Sequence, residues 1–135
     1  MENIQKNREL ILRNIQKAHK NSIFVNNNIT KLVAVSKKQE EYKILQAIES
    51  GQKIFGENRV QEAQQRWKRR LEIRKDIELR LIGPLQTNKV KQALKLFNII
   101  ETIDREKLAR EIAKNFNYES KTKSFYIQVN TGSET

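Results

Sequence analysis

The chain has 135 residues, 37% hydrophobic and 32% charged, which is enough apolar material for one modest core and too much for a disordered tail. It contains no cysteine and one histidine, His19, so disulfides and thiolate metal sites are excluded and a zinc site is not expected. With 27 basic and 16 acidic residues the net charge is +11, so an anionic partner has to be weighed.

No apolar run approaches the roughly 20 residues of a membrane span, and the amino terminus lacks the continuous apolar segment of a secretory signal. The expected location is the cytoplasm. Residues 1–21, MENIQKNRELILRNIQKAHKN, set Ile4, Ile11, Ile15 and Ala18 at helical spacing among charges, predicting an amphipathic helix that covers a neighbour. His19 falls at its polar end, where an exposed side chain is the simplest reading.

A strand–helix rhythm runs from residue 31 to residue 130. KLVAVS is short, β-branched and apolar on both parities, as a strand covered on both faces should be. EEYKILQAIES follows with Ile44, Leu45 and Ile48 at helical spacing, and Gly51 supplies a left-handed stop. KIFGEN reads as a second strand, and VQEAQQRWKRRLE as a helix with Val60, Ala63, Trp67 and Leu71 along one side.

IELRLIGP predicts a third strand closed by Gly83 and Pro84, after which Thr87 can cap a helix with the stripe Val90, Leu94 and Phe97. NIIETI is the fourth strand, Asp104 the cap of a helix bearing Leu108, Ile112 and Phe116, and SFYIQVN the fifth strand. The units recur about every 20 to 27 residues with parallel crossovers as the default, which suits a β/α barrel or an open doubly wound sheet. The sequence stops at QVNTGSET directly after the fifth strand, so either architecture is expected to be incomplete: one domain, 1–135, with a leading helix, 1–21, and repeated strand–helix units over 31–130 that end on the fifth strand.

In parallel α/β folds the working residues sit at the carboxyl ends of the strands. Lys37 follows the first strand, Glu57 and Asn58 the second, Pro84 to Gln86 the third and Asn130 to Gly132 the fifth, so all should share one rim. A lysine amine becomes a nucleophile when burial or a cationic neighbour lowers its pKa, and Lys37 ends a strand read as buried and adjoins Lys38. Imine formation with an aldehyde suits it, and pyridoxal phosphate is the commonest aldehyde cofactor. From spacing alone, a solvated lysine at a strand end is the simpler account of the pattern.

LVAVSK, AIESGQKIFGENRVQEA, LIGPLQTNK, TID and IQVNTG resemble, in order and at the right spacing, the signatures of the pyridoxal phosphate homeostasis protein family, which is similar to the amino-terminal barrel of alanine racemase. The resemblance runs from about Lys31 to the last residue. It implies a partial TIM-type (β/α)8 barrel of five parallel strands and their helices behind an amino-terminal helix. It further implies that Lys37 holds pyridoxal 5'-phosphate as a Schiff base and that Asn58 lies beside the cofactor, in a protein that buffers or delivers pyridoxal phosphate within the cell.

The sequence departs from the family at Lys38 and Glu40, where threonine and then proline are frequent. It departs again at Leu79, Arg80 and Leu81, where tryptophan, histidine and phenylalanine are frequent. The family runs on for roughly another hundred residues, which carry the loops that grip the phosphate, in keeping with a barrel of about 250 residues. A complementary carboxyl-terminal half-barrel is therefore an expected partner.

The basic run RWKRRLEIRK, 66–75, is the best argument for RNA, yet Trp67 falls on the apolar side of its helix and a charged solvated face is the usual fate of such a run. TGSET is too short for a Walker-type phosphate loop. A racemase-like enzyme would need a second acid/base that these residues do not supply, so no catalytic residue is expected. An inert fragment of the same family is the remaining alternative.

Overall fold

A computed structural model describes residues 3–23 and 30–134. Its order is α1 (Ile4–Lys20), β1 (Ala34–Val35), α2 (Glu41–Glu49), β2 (Ile54–Glu57), α3 (Val60–Ile73), β3 (Glu78–Leu81), α4 (Val90–Leu96), β4 (Ile99–Ile103), α5 (Glu106–Asn115) and β5 (Ser124–Ile127). The five strands form one parallel sheet in the order β1-β2-β3-β4-β5. A doubly wound sheet reverses its strand order at a switch point, whereas consecutive order without reversal is that of a β/α barrel wall.

The strand residues of one sheet face, Phe55, Leu79, Leu81 and Ile100, form a single core with Ile44, Trp67, Leu94 and Leu108 from the helices. Each helix supplies that core with a 3.6-residue stripe. In α3 the buried residues are Val60, Ala63, Trp67 and Leu71, the stripe read from the sequence. In α2, Ile44 and Ile48 turn inward while Leu45 is 44% exposed.

Helix α2 stops where Gly51 takes φ +98, with the Gly51 N–H on the Ile48 carbonyl and the Gln52 N–H on the Ala47 carbonyl. These paired bonds close the last turn around a residue for which only glycine avoids a Cβ clash.

Four local expectations are corrected. Strand β1 is two residues long, with Ala34 part-buried against the core and Val35 exposed, not covered on both faces, because it is the sheet edge. Helix α1 turns Ile4, Arg8, Leu12 and Ile15 toward its neighbour, leaving Ile11 and Ala18 exposed, because the i, i+4, i+8, i+11 row meets α2. Thr87 opens a 3-10 turn, Thr87–Lys89, and makes no side-chain cap. Asp104 bonds Arg105 at 2.7 Å instead of capping α5, whose cap position is Arg105.

The leading helix is fastened by polar contacts. Arg8 donates to Gln52 Oε1 at 2.9 Å, to the Ser50 carbonyl at 2.9 Å and to the Gly51 carbonyl at 3.2 Å. Gln52 is buried and donates to the Leu32 and Ile54 carbonyls, both at 2.8 Å, so one amide joins the first two strand segments to α1. The Asn3 side chain accepts the Lys6 N–H at 3.0 Å and caps α1.

Candidate functional site at the carboxyl ends of the strands

Register decides which side chains meet at the rim. Ala34 pairs with Phe55 and Val35 with Gly56, and the Ser36 N–H donates to the Gly56 carbonyl at 3.0 Å. The residues after these, Lys37 and Asn58, thus follow the carboxyl ends of adjacent strands. Lys37 does not end a buried strand: it is exposed, in a turn closed by the Gln39 N–H on the Ser36 carbonyl at 3.2 Å. Lys38, in the same turn, takes φ +57, a left-handed conformation unusual for a lysine. Strand alternation therefore does not separate the two lysines; the turn geometry does.

Asn58 is half-buried and its backbone lies under Gly83. A Cβ at Gly83 would overlap the Asn58 carbonyl oxygen and Cα, so only glycine permits this approach of the β2 and β3 ends. The Ile82 N–H reaches the Glu57 carbonyl at 2.9 Å. Thr102 Oγ1 donates to the Gly83 carbonyl at 2.7 Å and Arg105 to the Leu85 carbonyl at 2.9 Å, which fixes the 83–86 loop from β4 and α5. Asn58, Arg59, Gln61, Pro84, Gln86 and Lys89 border an open cleft of about 500 Å³. The Asn130–Gly132 segment is exposed and folded on itself, with the Asn130 amide on the Glu134 carbonyl at 2.7 Å.

Sequence reading set Glu57 on the rim but gave it no role; it is buried against Ser36, the residue before Lys37. Glu57 is 1% exposed and accepts from Ser36 Oγ at 2.9 Å and from Arg66, whose guanidinium reaches both carboxylate oxygens. Burial pushes its pKa up from the ordinary 4.5, against the pull of Ser36 and Arg66 in the other direction. The signal available in the sequence was a glutamate at an inward strand position, nine residues before an arginine on the following helix.

The opposite sheet face also carries charge. Arg80, buried, pairs with Glu78 at 2.8 Å and Glu101 at 3.5 Å. Three of the six basic residues of the run 66–75 pair within the chain, Arg66 with Glu57, Arg70 with Glu41 and Arg74 with Asp76 at 3.0 Å, while Lys68, Arg69 and Lys75 are exposed. Trp67 is fully buried, with no face left to stack on a base. Among the described residues no group of three or more His, Cys, Asp and Glu side chains could hold a metal, and no helix is long and apolar enough to cross a membrane.

No family model matches the chain. It is 35% identical over 136 residues to the pyridoxal phosphate homeostasis protein of Vibrio cholerae, covering 99% of this chain and 57% of that protein. To the protein of the same name from Haemophilus influenzae it is 36% identical over 132 residues, covering 98% and 55%. Among solved structures it is similar to PipY of Synechococcus elongatus without pyridoxal phosphate, with 29% identity and a TM-score of 0.69 over 83% of this chain and 46% of that one. The pyridoxal phosphate-bound form of PipY gives 31% identity and a TM-score of 0.62 over 78% and 47%. The chain thus spans little more than half the length of these curated relatives and about half of the solved chains.

Proposed function

Because the chain belongs to the pyridoxal phosphate homeostasis protein family, we propose that it binds pyridoxal 5'-phosphate through Lys37 and serves intracellular management of that cofactor without turning over a substrate. The observation that carries this reading is the exposed Lys37 in an anchored turn at the carboxyl end of β1, the strand that pairs with β2, which Asn58 follows. An accessible primary amine on a fixed backbone fits an aldehyde ligand, and the half-buried Asn58 amide offers both a donor and an acceptor at the end of the adjoining strand. Pyridoxal phosphate, if bound there, would supply an aldehyde carbon as the electrophile, and Lys37 is the residue that would hold it.

The protein's own contribution is placement. Ser36 holds the turn, and the fixed 83–86 loop and Gly83 hold Asn58. The remaining grip on the cofactor, and any complementary half-barrel chain, belong to the same proposal, since the chain spans only part of its relatives.

Borohydride trapping followed by peptide mapping tests the assignment. The expected product is a single reduced pyridoxyl adduct on Lys37. Label on Lys38, or spread evenly over the lysines, would overturn it.

A further inference from the structure

The turn bearing Lys37 stands on a buried polar cluster. The Trp67 indole N–H donates to Ser36 Oγ at 3.1 Å. An indole only donates, so it occupies a lone pair of the hydroxyl and directs the hydroxyl proton to an acceptor. The nearer acceptor is Glu57 Oε2 at 2.9 Å, with the Gly56 carbonyl at 3.3 Å. Arg66 holds the Glu57 carboxylate from α3, at 3.1 Å to Oε2. The Ser36 backbone is fixed as well, its N–H on Gly56 and its carbonyl accepting from Gln39. All the hydrogen-bonding groups of the residue before Lys37 are therefore committed.

Packing alone does not call for this arrangement. Burying a carboxylate and its cation is costly, and an apolar residue could fill the same space between β2 and α3 without that cost. What the carboxylate adds is direction: it gives the Ser36 hydroxyl one preferred orientation, and through it the turn.

We propose that Glu57 is a positioning residue for Lys37, acting through the Ser36 hydroxyl to fix the Ser36–Gln39 turn so that the Lys37 amine is presented to an aldehyde. The inference rests on the reading that Lys37 takes pyridoxal phosphate, and it assigns Glu57 no contact with the cofactor.

The test treats wild-type, Glu57→Gln, Ser36→Ala and Ser36→Thr chains with limiting pyridoxal phosphate, reduces them with borohydride and maps the label. Labelling of Lys37 is expressed relative to Lys6, an exposed lysine on α1, and circular dichroism reports folding. The ratio is expected to fall about tenfold in Glu57→Gln and Ser36→Ala, the scale of one hydrogen bond to a charged group, and to recover in Ser36→Thr, which keeps the hydroxyl. An unchanged ratio in either of the first two variants, with a native spectrum, overturns the inference while leaving Lys37 as the attachment site. Loss of the native spectrum in both shows a merely structural cluster and also overturns it. A wild-type chain with no preference for Lys37 overturns the cofactor reading itself, and the inference with it.

Discussion

At the scale of single residues, the backbone separates Lys37 from Lys38. Lys38 holds φ +57, where an L side chain crowds its own carbonyl and glycine does not. Lys38→Gly should therefore raise stability by up to about 1 kcal/mol in urea titrations and leave Lys37 labelling intact. Glu57 gives a pH signature. Its folded pKa lies above the ordinary 4.5, chiefly through burial, with Ser36 and Arg66 opposing the rise and Glu62 adding to it. Between 4.5 and the folded value the folded chain binds more protons than the unfolded one, so stability should fall as pH rises through that window. Urea midpoints measured across the window should show this slope in the wild type and a flatter one in Glu57→Gln.

At the scale of elements, α3 is what binds the site to the core. Trp67 is 0% exposed, lies 4.7 Å from Phe55 between ring centroids and has the Arg70 guanidinium 5.3 Å over its own ring. Trp67→Ala should cost about 3–5 kcal/mol for the cavity, and it also removes the donor on Ser36. Trp67→Phe keeps most of the volume, so a larger loss of Lys37 labelling than of stability in that variant would separate the indole N–H from packing. The two glycines at element ends differ in kind. Gly51→Ala meets only its unfavourable φ, with Arg8 at an ordinary 3.6 Å, and should cost about 1 kcal/mol. Gly83→Ala drives a methyl group into the Asn58 backbone and should cost more, with the β2 and β3 ends forced apart. Paired urea denaturation curves check both.

At the scale of the whole molecule, the two sheet edges dominate behaviour. On β1, Val35 is 47% exposed; on β5 and just past it, Ile127 is 78% and Val129 70% exposed. Open parallel edges with apolar side chains invite pairing with another chain. The chain by itself should self-associate with rising concentration, and Ile127→Lys should reduce that association in sedimentation or light scattering. A polypeptide comprising the remainder of a relative's length should raise both solubility and retention of pyridoxal phosphate, followed by absorbance of the bound cofactor. Tight retention by a monomeric chain without any addition would show that the edges and the cofactor grip are independent.

The sequence by itself determined the elements and their core faces wherever local periodicity and burial agree. Val60, Ala63, Trp67 and Leu71 are legible because a helix against a sheet must bury one stripe, and Gly51 because a left-handed stop needs a residue without Cβ. The rim positions of Lys37 and Asn58 followed from parallel strands ending at one side. Only the tertiary structure decided strand order, and with it that β1 is a short exposed edge and Lys37 a turn residue in the open. It alone also joined Ser36, Glu57, Arg66 and Trp67, because hydrogen bonds between residues on different elements depend on register and packing, which no local pattern encodes.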